Sequence, residues 1–374
     1  MGWRKNRADP AGTRDKSWMD VRERLEVRPT DVRGDRDRPR SVQSVLAGHR
    51  HLVSGNSSLH TGKSQANDQG QAADLMAKAS RPSVRLDRVP VLPYHELAPV
   101  LRELATSVQD VLDGNLVGVY LVGSLATGDF DLDSDVDFLV VTQDDVAEEA
   151  SRSLQAMHER IHGLGCYPAE HLEGSYISRA VLSRAEAIGV QPLWYLDNGS
   201  TVLERSTHDN QWHVRWVLRE RGITLVGPEA ASYLAPVPVE AVRGEAHGVI
   251  GRIAQEFTDA VTGPLTFWTS RFGQSYAVLQ LCRVLLTVQT GTVESKLSGV
   301  NWALEALDAA WAELIRQAWT EREGVRHCIK IRQRAAESAL MQTHEFIKYA
   351  VRESEARLAR WGTGDIREFG GHSK

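Results

Sequence analysis

The segment that decides the fold is VGVYLVGSLATGDFDLDSDVDFLVV, residues 117–141. It contains two apolar runs, Val117–Val122 and Val136–Val141, and short runs of this kind predict buried strands. The loop between the two runs is rich in glycine and aspartate. This loop is therefore expected to join two adjacent strands and to place polar groups at their ends.

The two ends of the loop carry groups that suit a nucleotide and a metal ion. Gly123 and Ser124 offer backbone N–H groups and a hydroxyl to phosphate oxygens. Asp135 and Asp137 are two residues apart on a strand, so their side chains point to the same face. Side-by-side carboxylates require a cation, and Mg²⁺ prefers one or two carboxylates together with phosphate oxygens. The loop thus predicts a Mg²⁺ site beside a phosphate site.

A third predicted strand, His171–Ser178, adds Glu173 to this constellation. Its carboxylate either completes a metal set with Asp135 and Asp137 or accepts the proton of an attacking hydroxyl. Mg²⁺ ions between such carboxylates and a nucleotide stabilise the attacking and leaving oxygens of a phosphoryl displacement. The residues therefore predict nucleotidyl transfer.

The surrounding pattern predicts an α/β domain, with a small mixed sheet and flanking helices. Apolar residues at helical spacing predict helices over 94–113, 145–163 and 211–221. A further short apolar run, Ile223–Gly227, predicts another strand. We expect this domain to span residues 89–232.

Helical periodicity dominates the rest of the chain, residues 233–374. Breaks are expected around Gly263–Pro264, Thr290–Gly291 and Gly324. The pattern predicts five or so helices packed as a bundle, so the second domain is all-α.

Residues 1–88 differ from the body of the chain in charge and in pattern. They contain 18 basic and 11 acidic residues, a balance of +7, whereas the 26 basic and 38 acidic residues that follow give −12. The segment has no sustained period and mixes arginine with aspartate, which predicts a disordered basic leader, with order beginning near Val89–Pro93. The leader carries few aromatic residues, so nucleic acid is not expected as a partner. The acidic body favours a small cationic substrate.

Composition excludes several protein classes. With 42% hydrophobic and 25% charged residues the chain is of globular type, and its 3 cysteines are too few for a disulfide framework. No segment is long and apolar enough to predict a membrane span or a secretory signal. A cytoplasmic protein, with a monomer as one compatible state, is the expectation.

Gly123-Ser124, the ten-residue spacer and Asp135-x-Asp137 resemble the signature of the nucleotidyltransferase (polymerase-β-like) superfamily. Over roughly residues 89–320 the closer resemblance is to aminoglycoside adenylyltransferases of the streptomycin/spectinomycin type. The segments that carry it are LEGSYI (172–177), RERGITLVGP (219–228), YAVLQLCRVLLTVQTGTVESK (276–296) and NWALEAL (301–307).

The resemblance implies AMP transfer from ATP to a hydroxyl of a small molecule, an aminoglycoside-like antibiotic, and hence antibiotic resistance. It implies that Asp135 and Asp137 hold Mg²⁺ and that Glu173 is the catalytic base. It also maps two cations that reach the nucleotide phosphates in the family onto Arg283 and Lys296. Gly123 and Ser124 would bind the β- and γ-phosphates.

One departure concerns the acceptor. The aminoglycoside enzymes carry acidic residues a turn or more before the arginine, where they meet the cationic drug. Here the stretch FWTSRFGQSYAVLQLCR (267–283) contains Arg271 and no acid. The acceptor could therefore be a different aminoglycoside or an unrelated molecule. Independently of this departure, two alternatives stay open: a protein-adenylylating enzyme of toxin–antitoxin type, and a non-catalytic nucleotide-responsive module.

Several other features have a structural interpretation. His158 and His162 fit the H-E-x-x-H zinc pattern, but a surface helix explains them. Asp209 is expected to cap the helix near 211–221, although His208 and Asp209 could instead line the substrate site. Core or interface positions are predicted for Trp268, Trp302, Trp311, Trp319 and Cys282. Exposed turn positions are predicted for Asp129, Asp131 and Asp133.

Overall fold

The computed structural model describes residues 82–91, 93–322 and 330–362. Most of the predicted leader and the predicted break at Gly324 lie outside these residues. Val84 and the described residues that follow it belong to one compact unit.

A mixed sheet forms the first half of this unit, as the sequence predicts, and it has six strands. The strand order is β5-β4-β3-β2-β1-β6; β2 and β3 pair in parallel and the other neighbours pair antiparallel. The strands are Leu116–Leu121 (β1), Val136–Thr142 (β2), Leu172–Ser178 (β3), Leu193–Leu196 (β4), Leu203–Ser206 (β5) and Ile223–Val226 (β6).

β4 and β5 were not predicted from the sequence. Each has four residues, and all four residues of β4 are buried, so neither strand is long enough to reveal an alternating pattern. Their presence extends the sheet beyond β3 and brings Tyr195 next to the site described below.

Helices cover both faces of the sheet. They are Leu97–Leu112 (α1), Gly123–Thr127 (α2), Glu148–His162 (α3), Tyr167–Glu170 (α4), Arg179–Leu182 (α5) and Trp212–Glu220 (α6), with 3-10 turns at Asp113–Asn115, Ala185–Ala187 and Ala230–Ser232. The predicted loop after β1 thus begins as one short helix, α2.

The two faces of the sheet have separate cores, because successive strand residues point in opposite directions. Phe138 and Val140 pack with α1 and α3, whereas Leu139 and Val141 pack on the opposite face with α5 and α6. That second core also contains Val242 from the helical half of the chain. The helical half is therefore joined to the face on which residues 137, 139 and 141 lie.

Five helices make up the described part of the second domain, in agreement with the predicted bundle. They are Val239–Ala260 (α7), Arg271–Thr290 (α8), Lys296–Ala306 (α9), Ala312–Arg322 (α10) and Glu337–Gly362 (α11), with a 3-10 turn at Ala309–Trp311. Ser270 and Ser295 cap α8 and α9 with their hydroxyls, and α8 ends at Gly291 in the left-handed region. α8 is the central helix and packs against the other four.

The predicted packing residues of this domain are in its core. Cys282 is fully buried, and the predicted tryptophans are partly buried against the same core: Trp268, Trp302, Trp311 and Trp319. No helix among the described residues is long and apolar enough to cross a bilayer.

The folded body extends upstream of the predicted start at Val89. The Arg85 N–H donates to the Leu225 carbonyl of β6 at 2.8 Å, and the Arg85 guanidinium donates to the Gly227 carbonyl at 2.7 Å. Val84 and Leu86 pack against the sheet core. This segment therefore lies along the edge strand β6 and satisfies part of its backbone.

Candidate active site

The parallel pairing of β2 with β3 sets the centre of the site. Asp137 and Glu173 are direct register partners, so their side chains leave the sheet next to each other on the same face. Asp135 precedes β2 by one residue and contributes to the same electrostatic field. The structure thus brings together the three carboxylates that the sequence singled out.

Gly123 allows the end of β1 to approach this pair. Its φ is +56°, and a Cβ atom there would lie 1.8 Å from Oδ2 of Asp137, so no larger side chain fits. The backbone N–H of Ser124 lies beside the Asp137 carboxylate and acts to lower its pKa. The Ser124 hydroxyl is shielded from solvent and has no hydrogen-bond partner within the described part of the chain. An orphaned hydroxyl beside a carboxylate is a suitable donor to a phosphate oxygen.

The carboxylates raise one another's pKa. Burial, followed by the charges of Asp135 and Asp209, raises the pKa of Asp137 to about 7, although Lys296 and the Ser124 N–H oppose the shift. Burial and the charges of Asp137, Asp135 and Asp209 raise the pKa of Glu173 well above its usual value. Such a cluster has a high affinity for cations because a cation relieves the mutual repulsion.

Tyr195 and His208 surround the Glu173 carboxylate. The Tyr195 hydroxyl donates to Oε1 of Glu173 at 2.7 Å, and Nε2 of His208 lies 3.5 Å from the same oxygen. The two rings are adjacent, with centroids 5.1 Å apart. Sequence reasoning missed Tyr195 because its position depends on the antiparallel pairing of β4 with β3.

Asp209 does not cap α6, so that prediction was wrong. Its carboxylate accepts the Ser175 hydroxyl at 2.7 Å and adds a fourth negative charge beside Asp137 and Glu173. The first turn of α6 is instead capped from another helix: Glu245 of α7 accepts the N–H groups of Trp212 and His213 at 2.7 and 2.8 Å. His208 and Asp209 therefore line the site, which was the less favoured interpretation.

The two predicted cations come from the helical domain. Arg283 of α8 is close enough to Asp137 and Asp129 to interact with their charges, and Lys296 at the start of α9 interacts with Asp135 and Asp137. α8 and α9 cross at close range: a Cβ atom added at Gly299 of α9 would lie 2.7 Å from the backbone of Arg283 in α8. Burial and the charges of Arg283 and Arg322 lower the pKa of Lys296 to about 8.

Two of the loop aspartates are bound to the helical domain, contrary to the prediction of exposed turns. Oδ2 of Asp129 accepts the Leu297 N–H at 3.0 Å. Both carboxylate oxygens of Asp131 accept N–H groups of Arg322, one of them at 3.0 Å. Asp133 is exposed, as predicted.

The stretch before Arg283 lacks an acid, but α7 supplies one nearby. Glu256 accepts the indole N–H of Trp268 at 3.0 Å. Tyr276 of α8 has its ring centre 6.3 Å from that of Trp268 and interacts electrostatically with both Glu173 and Glu256. Arg271 is paired with Glu321, its Nε lying 2.7 Å from Oε1.

The H-E-x-x-H segment has a structural role. Nε2 of His158 is 2.7 Å from the Tyr176 hydroxyl, and its ring stacks on Phe138 in the sheet core. Burial lowers the pKa of His158 to about 3, so the ring is neutral. The expected surface helix is therefore present, although His158 itself is buried beneath it.

The donor groups of the site fit Mg²⁺ that arrives with a nucleotide. Within the described residues, no three His, Cys, Asp or Glu side chains converge closely enough to hold a metal ion by themselves. Asp135 and Asp137 nevertheless supply hard oxygens beside a shielded hydroxyl and two cations. Mg²⁺ ordinarily binds one or two carboxylates and completes its shell with phosphate oxygens and water, so the donor chemistry fits a nucleotide-borne ion.

Comparisons with known families match both halves of the chain. Residues 101–175 match the family model described as nucleotidyltransferase domain. Residues 249–350 match the model described as aminoglycoside adenylyltransferase, C-terminal domain.

The chain also resembles individual proteins. It is 27% identical to a spectinomycin 9-adenylyltransferase of Staphylococcus aureus over 209 residues, which cover 54% of this chain and 75% of the relative. It is 25% identical to an aminoglycoside (3'') (9) adenylyltransferase of Shigella flexneri over 249 residues, covering 61% and 87%.

A solved structure shares the fold. The spectinomycin adenyltransferase from Enterococcus faecialis, crystallised with ATP and spectinomycin, superposes with a TM-score of 0.51 at 15% identity. The superposition covers 69% of this chain and 99% of that one.

Proposed function

We propose an acceptor and residue roles for this chain. The chain belongs to the aminoglycoside adenylyltransferases of the nucleotidyltransferase superfamily. It is a nucleotidyltransferase enzyme with ATP as its co-substrate. The reaction is the transfer of AMP to a hydroxyl group of a small molecule. The proposed acceptor is an aminoglycoside-like antibiotic, or spectinomycin.

One observation supports the residue roles above all others: Asp137 and Glu173 are register partners on parallel strands, and two cations face them from the helical domain. Asp137 and Asp135 would hold Mg²⁺, which, when bound, stabilises negative charge on the phosphate oxygens. Glu173 is the register partner of Asp137, but among the described residues no three such side chains converge closely enough to hold a metal ion by themselves, so its proposed role is that of the base.

Glu173 is proposed as the base that accepts the proton of the acceptor hydroxyl. Tyr195 donates to Oε1 at 2.7 Å, which helps to hold the carboxylate in one orientation. Burial and the neighbouring acids raise the pKa of Glu173, and a higher pKa makes the ionised carboxylate a stronger base.

Gly123, Ser124, Arg283 and Lys296 are proposed to bind the triphosphate. Ser124 would contribute its unpartnered hydroxyl, and the two cations would neutralise the charge that remains on Mg·ATP. The acceptor oxygen, having given its proton to Glu173, would attack the α-phosphorus of ATP; the bond from the α-phosphorus to the bridging oxygen then breaks, pyrophosphate leaves and AMP remains on the acceptor.

Glu256 is proposed to meet a cationic group of the acceptor. It replaces the acid that is absent from residues 267–283 and lies beside the partly exposed rings of Trp268 and Tyr276. An aromatic face next to a carboxylate suits an ammonium-bearing sugar.

The test is pyrophosphate release from ATP and Mg²⁺ in the presence of spectinomycin, streptomycin and other aminoglycosides, with mass analysis of the product. Glu173→Gln is the matched control, because its amide oxygen still accepts the Tyr195 O–H while the base is lost. We expect release with at least one drug, an AMP adduct, and a loss of about 100-fold or more in the control.

Two results would overturn the proposal. Equal rates for the wild-type chain and Glu173→Gln would remove the base assignment. Binding of Mg·ATP with no drug modified would exclude these acceptors, and an AMP-modified protein in the same assay would favour the protein-adenylylating alternative.

A further inference from the structure

The acidic loop that precedes Asp135 does not face solvent alone but contacts the helical domain at two points. Oδ2 of Asp129 accepts the N–H of Leu297, a residue 168 positions later in the chain. Asp131 forms a bidentate pair with Arg322, 191 positions later. We call these two contacts the domain latch.

The contact between Asp131 and Arg322 is built from groups that are fixed locally. Oδ1 of Asp131 also accepts the Ser134 hydroxyl at 2.8 Å and the Asp133 N–H at 3.1 Å, so the carboxylate is held before it meets Arg322. The Arg322 side chain is only 14% exposed, and its guanidinium lies 5.3 Å from the centre of the Trp319 ring. A bidentate pair between two held groups has little rotational freedom to lose.

The Asp129 contact acts on the first turn of α9. Ser295 satisfies the Ser298 N–H from within the helical domain, and Asp129 satisfies the Leu297 N–H from the other domain. A carboxylate at this end of a helix also interacts favourably with the helix dipole. Lys296 lies in the chain between Ser295 and Leu297, so a contact on each side of it holds its backbone in place.

From these contacts we propose that Asp129 and Asp131 are positioning residues, which fasten the helical domain to the metal-binding loop so that Lys296 faces Asp135 and Asp137. Neither aspartate touches the reacting groups in this assignment. The consequence for nucleotide binding rests on the proposed role of Lys296 as a phosphate ligand.

The first measurement is hydrogen–deuterium exchange of the peptide that contains Leu297. Asp129→Ala removes the acceptor and will increase exchange there, whereas Asp129→Asn keeps an amide oxygen in place and will preserve most of the protection. Asp133→Asn is the matched control, since it changes the same charge in the same loop at an exposed residue.

The second measurement is the Mg·ATP dissociation constant by calorimetry for Asp131→Asn, Arg322→Gln and the double variant. If the open latch leaves a tenth of the molecules competent, each single variant weakens binding by about 10-fold. The double variant will be no weaker than the singles, because both changes remove the same pair. The KM for ATP will rise more than kcat falls.

Unchanged exchange in Asp129→Ala together with unchanged ATP affinity in both Asp131→Asn and Arg322→Gln would overturn the proposal. So would an effect of Asp133→Asn equal to that of Asp131→Asn, since bulk charge would then be the cause. If the wild-type chain does not bind Mg·ATP, the proposed function fails, and the exchange data still decide the latch.

Discussion

The two sides of the domain junction carry opposite charges. The sheet side presents Asp135, Asp137, Glu173 and Asp209, whereas the helical side presents Arg283, Lys296 and Arg322. Like charges destabilise each side taken alone, but each side attracts the other. The same division suits Mg·ATP, whose metal would bind the acids and whose phosphates would bind the bases.

The junction contains charged residues that pair with each other and charged residues that are available to a ligand. Asp131 and Arg322 already neutralise each other, whereas Asp137 is left with a pKa of about 7 through burial and neighbouring acids. The repulsion between Asp137 and its neighbouring acids therefore indicates where a cation of the ligand would bind. Substitutions on one side of the junction at a time distinguish the two kinds of charge.

The largest effect is expected from Asp137→Asn on the acidic side. Loss of a metal carboxylate should cost several kcal/mol of transition-state stabilisation, or roughly 1,000-fold in kcat. Because the change also removes a buried charge next to two like charges, the free energy of unfolding should stay equal or rise. Pyrophosphate release and urea unfolding measure the two quantities; a stable, fully active variant would refute the metal assignment.

The next largest effect is expected from Gly123→Ala, which leaves every charge in place. Its Cβ would lie 1.8 Å from Oδ2 of Asp137, so the carboxylate must move by about 1 Å, enough to cost about 100-fold in kcat. Gly128→Ala is the control, because Gly128 also has a positive φ, +85°, but a Cβ added there would have no atom within 4 Å. Both variants should lose about 1–2 kcal/mol of stability, and only the first should lose most of its activity.

A smaller effect is expected from Lys296→Met on the basic side. The apolar side chain keeps the approximate length and removes one charge-assisted contact to phosphate, worth about 1.5–3 kcal/mol. The KM for ATP should rise by about 10- to 100-fold, with a smaller change in kcat. Initial rates at varied ATP concentrations measure this KM, and Lys348→Met, at an exposed lysine, is the control. Equal KM values for the two variants would remove Lys296 from the nucleotide site.

The smallest effect is expected from Glu245→Gln. Glu245 of α7 contacts α6 outside the cluster of Asp135, Asp137, Glu173 and Asp209. His213 and the α6 N–H groups hold the pKa of Glu245 below its usual value of 4.5. A lowered pKa means that the ionised form stabilises the fold above pH 4.5 and that this contribution is lost as the pH falls through the lowered value. Glu245→Gln should therefore lose about 1 kcal/mol at pH 7 and very little at acid pH.

Chemical unfolding at pH 7 and at acid pH tests the Glu245 prediction. The KM for ATP should not change, because this contact lies outside the charged junction. A pH-independent loss of stability would show that the charge of Glu245 does not matter.

Much of the acidic side could be predicted from the sequence because its residues follow local rules. Asp135 and Asp137 share a face through strand alternation, and Gly123 stands where a strand must turn sharply. The helical bundle and the mixed sheet follow from periodicity for the same reason.

The remaining parts depend on contacts between distant segments. The partners of Asp129 and Asp131 lie 168 and 191 residues away, so no local pattern distinguishes these aspartates from exposed turns. Asp209 was assigned to a helix cap because it precedes one, but Glu245 from α7 occupies that role. β4 was too short to be recognised, and Tyr195 was missed with it.

The register of β2 against β3 restricts where residues can be inserted or deleted. Because side chains alternate along a strand, one residue inserted into or deleted from 136–142 or 172–178 would send Asp137 or Glu173 to the opposite face. The connection over 143–171 carries no such parity constraint. Homologous chains are therefore expected to differ by insertions in that connection, while the two strands keep a fixed count of residues.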